Sequence, residues 1–115
     1  MKACLENPST LPIIVKGICL AGLLAGKLAW AVPFSEGNPE LGKTLVEKNC
    51  VSCHVSRLGG DGSAMYTRNP RKINSSAALL AQIRTCNTMI GSKLFEDEEL
   101  HVASYLNNTY YKFDR

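Results

Sequence analysis

Apolar residues in the second half of the chain recur at helical spacing. Leu79, Ile83, Cys86 and Ile90 fall on one side of a wheel turning ~100° per residue, with Cys86 in the middle of the stripe and Met89 at its edge. Asn74-Ser75-Ser76 supplies capping side chains and Gly91 a left-handed stop, so a helix is expected between them. A second stripe, Leu100, Ala103 and Leu106, lies in a segment from Phe95 to Tyr111 whose ends Tyr105 and Tyr110 can wrap. This segment opens on the acids Glu96 to Glu99, which the positive end of a helix dipole favours and which read as a solvated first turn or a docking patch. His101 falls on its charged side and reads as a surface residue. A further helix is expected from Asn38-Pro39-Glu40, with Asn as cap, Pro at the first position and an acid in the first turn, running toward Cys50. Its expected inner face is Leu41, Leu45 and the stem of Lys48, and Gly42 permits another backbone to come close. Val32 to Ser35 read as extended, and Arg57 to Pro70 reads as loop throughout.

The first residues follow a different pattern. Lys2 and Lys16 supply positive charge, Gly17 to Gly26 form an apolar run, and Ala29-Trp30-Ala31 is a small-x-small site, so residues 1–31 read as a secretory signal cut after Ala31. A single domain, residues 32–115, is expected to remain. The apolar run is shorter than the ~20 residues that span a bilayer, and Lys27 interrupts it. The signal would take Lys2, Lys16, Lys27 and Glu6 with it, so the whole-chain net charge of +3 falls close to neutral and carries no signal for nucleic acid. The expected compartment is the periplasm or its equivalent outside the cytoplasm.

Of five cysteines, Cys4 and Cys19 leave with that segment. Cys50-Val51-Ser52-Cys53-His54 is the spacing of a c-type haem attachment site. Two thiols three positions apart can each add to a vinyl group of one haem, and the adjoining histidine is placed to bind its iron. A zinc site or a redox-active thiol pair is the competing reading of Cys-x-x-Cys, but the expected domain offers one further cysteine and one further histidine and no second pair. Cys86 is left over in an oxidising compartment, as a buried inert thiol, an intermolecular disulfide or an iron ligand. Met89 reads as a gap-filler or as the competing ligand. Arg84, Tyr66 and Arg68 are candidates to hydrogen-bond a haem propionate or a bound gas, and Phe34, Tyr110, Tyr111 and Phe113 to form a partner surface.

Cys50, Cys53 and His54 near the start of the expected domain, Gly42 before them, and the closing run from Met89-Ile90-Gly91 through Leu94 to Ala103-Ser104-Tyr105-Leu106 resemble a small class I cytochrome c. The resemblance implies an all-α fold of three to four helices around one covalent haem c, with Gly42 meeting Tyr105 and Met89 in the usual place of the distal ligand. Two departures stand out. Met89 ends a helix and is followed by Ile-Gly, and the Gly-Pro-x-Leu passage that usually supports the proximal histidine is missing, leaving Pro70 as the candidate for that support. Arg84-Thr85-Cys86-Asn87-Thr88-Met89-Ile90-Gly91 resembles the corresponding helix of SHP-type cytochromes, which bind oxygen and nitric oxide, but Thr85 stands where those carry their asparagine ligand. The chain is also similar to the small His/Cys-ligated cytochromes of anaerobic ammonium-oxidising bacteria, heterodimers that bind nitric oxide. That likeness implies His54 as proximal and Cys86 as distal ligand, low-potential electron transfer or binding of nitric oxide or carbon monoxide, and a second small cytochrome subunit as partner. The alternative is a His54/Met89 electron carrier. Redox partner proteins are expected in either case, and no catalytic constellation is present in the sequence.

Overall fold

The computed structural model describes residues 31–114; the expected signal segment up to Trp30, with Cys4 and Cys19, lies outside the described residues. Within them the chain is all-α. Helices α1 (Pro39–Asn49), α2 (Val51–Leu58), α3 (Ala64–Thr67), α4 (Ser76–Ile90) and α5 (Glu96–Leu106) follow one another, and a π-helical turn, Asn107–Tyr111, closes the chain. Among the described residues no helix is long and apolar enough to cross a membrane.

Each start and stop has a local cause. Asn38 Oδ1 accepts the backbone N–H groups of Glu40 and Leu41 at 2.9 and 3.1 Å, and Pro39 sits where no N–H is needed. Ser75 Oγ accepts the N–H of Ala78 at 3.2 Å to open α4, and Gly91 at φ 63° ends it in the left-handed region. Glu98 turns its carboxylate back onto the Phe95 N–H at 2.9 Å and so caps α5. The stretch expected as continuous loop, Arg57 to Pro70, is partly helical. The helix carrying His54 runs on to Leu58, and Ala64–Thr67 add one turn that brings Tyr66 inward.

The crossing of α1 and α5 is the frame of the fold. Gly42 is buried there, and a Cβ at this position would run into the backbone carbonyl of His101 and come within 2.9 Å of the Tyr105 Cβ. The expected meeting of Gly42 with Tyr105 is therefore present. Gly37 touches α5 in the same way, against the Leu100 carbonyl. This close approach sets which face of α1 is buried. Gly42 and Val46 point inward, Leu45 is half-buried, and Leu41 stays 52% exposed, so the expected stripe through Leu41 is displaced by one residue. Val46, Tyr66, Leu79, Ile83, Val102, Ala103, Leu106 and Tyr111 form the core. Leu79 and Val102 are fully buried, each contributing on the order of 1.5–3 kcal/mol.

Three surface expectations are corrected by packing. Glu99 is buried, because Arg84 Nε lies 3.1 Å from its Oε2 and Asn87 Nδ2 donates to its Oε1 at 2.8 Å. His101 is half-buried, and its Nδ1 accepts the Asn38 N–H at 3.0 Å, joining the start of α1 to α5. Tyr111 belongs to the core, with Phe34, Tyr110 and Phe113 packed against it, so these aromatics close the fold more than they offer a free face.

Candidate functional site

Asn49 ends α1 and Val51 starts α2, so the break between the two helices falls on Cys50. The first turn of α2 then carries Cys53 and His54, and all three side chains border one cavity of about 570 Å³. The inner face of α4, with Leu79, Ile83 and Cys86, lines the same cavity, as do Val102 and Leu106 of α5. The elements thus bring together what lay thirty-odd residues apart in the chain, the paired cysteines and the leftover one. Cys50, Cys53 and Cys86 are free thiols and each is half-buried. Met89 also borders the cavity but is 72% exposed.

His54 is held from behind. The edge of its ring meets Tyr66 at a centroid distance of 5.0 Å and 66°, and Tyr66 in turn stacks on Tyr110 at 4.9 Å. Gly62, at φ 80°, lets the following loop close onto His54, since a Cβ there would stand 2.8 Å from the His54 Cβ. The buried Nδ1 of His54 has no hydrogen-bond partner, so Pro70, exposed on its loop, does not give the ring the expected support. Behind the ring lies a smaller cavity of about 250 Å³ between Asp61, Ser63, Tyr66 and Tyr110.

Burial sets the protonation states. Desolvation first, and then the neighbouring thiols of Cys86 and Cys53, push the Cys50 thiol up to about 11. Burial, with the Arg57 cation, holds His54 below the usual imidazole range, which favours the neutral ring that binds metals. Burial raises Tyr66 strongly above the usual phenol range, with nearby Cys50 and tyrosines adding to it. Arg57, Arg68 and Lys72 stand exposed at the rim of the larger cavity. Arg68 is a candidate from the sequence; Arg57, in the last turn of α2, and Lys72 carry no signal, because single exposed cations show no periodicity. Arg84 faces the other way, into Glu99 and Glu96, and is not free to serve a ligand in the cavity.

A cavity of this volume is within the ~300–1,000 Å³ of small-molecule and cofactor sites. Its makeup fits a haem: an apolar interior for the ring, two thiols and a neutral imidazole on one wall, and cations at the rim for two carboxylates. Cys50, Cys53 and His54 would hold the group from the α2 side, and Arg57, Arg68 and Lys72 its acid groups. When bound it would supply a one-electron couple at iron. Among the described residues no three of His, Cys, Asp and Glu gather as a metal site.

Comparison with known proteins agrees. Residues 39–91 match the family model described as Cytochrome c, a span from α1 through the end of α4. No curated protein and no solved structure matches the chain. The match supports a class I c-type cytochrome, an electron-transfer protein with one covalently attached haem c.

Proposed function

We propose that this protein is an exported monohaem cytochrome c in which His54 is the proximal and Cys86 the distal iron ligand. Cys50 and Cys53 form the two thioethers. The reading is supported above all by one observation, that Cys86 lies half-buried on the wall of the same cavity as Cys50, Cys53 and His54. A thiolate donates charge to iron and lowers its potential, which suits low-potential electron transfer and, once the sulfur releases, binding of nitric oxide or carbon monoxide. The role is that of a carrier or gas-binding protein, not an enzyme, in the periplasm or an equivalent compartment, with redox proteins and a second small cytochrome subunit as partners.

A second reading keeps Met89 as the distal ligand, since it borders the cavity too. It would raise the potential and make the protein a conventional carrier. Met89 is 72% exposed, whereas Cys86 is half-buried, which favours the cysteine in this reading.

Replacement of Cys86 by alanine separates the two. The proposal expects the oxidised haem to pass from low-spin to high-spin or methionine-ligated, whereas an unchanged optical spectrum rules Cys86 out as ligand.

A further inference from the structure

We infer that Gln82 is the positioning residue of the distal sulfur, donating from its side-chain amide to a Cys86 thiolate and so setting the potential of the iron that the sulfur binds. The inference rests on the reading of Cys86 as ligand.

Gln82 lies one turn before Cys86 on α4, and its Nε2 is 3.2 Å from the Cys86 Sγ. Both residues border the cavity. The other polar side chains of this part of α4 are engaged elsewhere: Thr85 and Thr88 donate to the carbonyls of Ala81 and Arg84, Arg84 binds Glu96 and Glu99, and Asn87 binds Leu94 and Glu99. Gln82 is thus the side chain on this helix whose amide is directed at the sulfur.

The contact would be stronger to a sulfur that binds iron as a thiolate. A thiol is a weak acceptor, but a thiolate turns the same N–H···S contact into a charge-assisted bond. Such a bond withdraws charge from the sulfur, so the thiolate stabilises ferric iron less and the potential rises. One electron enters the iron on reduction and no covalent bond is made or broken in this step.

The test uses the haem-loaded protein and two replacements, Gln82→Leu and Gln82→Glu. Gln82 is exposed, so either should leave the fold intact. The readouts are the paramagnetic-resonance g-values, which report sulfur ligation, and the reduction potential. With sulfur ligation retained, Gln82→Leu should shift the redox equilibrium about tenfold toward ferric iron, ~59 mV downward for one electron. Gln82→Glu, which adds a negative charge beside the sulfur, should shift it further. Loss of sulfur ligation in Gln82→Leu with haem still attached would equally support the assignment, since the sulfur then needs the amide to stay in place. An unchanged potential in Gln82→Leu with sulfur ligation retained overturns the role of Gln82 and leaves Cys86 as ligand. Absence of Cys86 ligation in the unaltered protein removes both.

Discussion

Arg84 and Glu99 meet at 3.1 Å across the contact between α4 and α5, with Glu99 only 8% exposed and Arg84 about half in solvent. Asn87 completes the arrangement. It donates to Glu99 and to the Leu94 carbonyl, and its Oδ1 accepts from Ser92 and the Leu94 N–H. The cluster brackets Cys86 in sequence and fixes the end of α4 against α5, so the position of the sulfur depends on it.

Arg84→Met should therefore destabilise the protein by about 1–2 kcal/mol, less than for a fully buried pair because the guanidinium is partly solvated. Asn87→Ala, which removes four hydrogen bonds at once, should cost about 2–4 kcal/mol. Denaturant unfolding of the haem-loaded variants measures both, and a loss under ~0.5 kcal/mol for Asn87→Ala would contradict the role given to the cluster.

Gly42→Ala strikes the frame itself. The added methyl collides with backbone at His101, which cannot rotate away, so α1 and α5 must part. A cost of about 3 kcal/mol is expected, at the upper end for overpacking, along with reduced haem retention. Thermal unfolding checks it; a midpoint unchanged from that of the parent protein would show that the crossing is looser than the contact implies.

What could be read without the structure was what is written locally. The Cys50 to His54 spacing, the Asn38-Pro39 start and the Gly91 stop depend on neighbours in the chain, and a wheel places Cys86 correctly because α4 is regular. The partners of Glu99 and His101 were invisible because they come from other elements: Arg84 lies 15 positions before Glu99, and Asn38 lies 63 before His101. The inner face of α1 differs from the expected one for another reason. Periodicity counts large apolar residues, whereas the closest contact of α1 is made by a glycine that has no side chain. The cations at the cavity rim had no pattern to betray them.

Alkaline pH should weaken the fold through Tyr66. Burial raises its ionisation above the ordinary phenol value of ~10. The unfolded chain therefore releases this proton at a pH where the folded chain still holds it. The stability is fully present below about pH 10 and declines above it, by up to ~1.4 kcal/mol per pH unit for this one group. Unfolding free energies at pH 8 and pH 11 should differ more in the parent protein than in Tyr66→Phe. Equal slopes would mean that Tyr66 ionises freely in the folded state.

Gly62→Ala tests the support of His54 from the loop side. The position combines φ 80° with a 2.8 Å approach to the His54 Cβ, so both the backbone and the ring must shift. A loss of about 2–3 kcal/mol is expected, with altered spin state of the attached haem. A variant with parent stability and spectrum would show that the loop does not hold the ring.

His54 and Cys86 as the two iron ligands carry the proposed function. Paramagnetic resonance of the purified, oxidised, haem-loaded protein, recorded with its optical spectrum, reads out both ligands at once. The His54/Cys86 pair should give a low-spin ferric signal with the narrow g-spread of a thiolate ligand and no far-red band of iron–methionine ligation. A far-red methionine band, or a wholly high-spin signal, would contradict it.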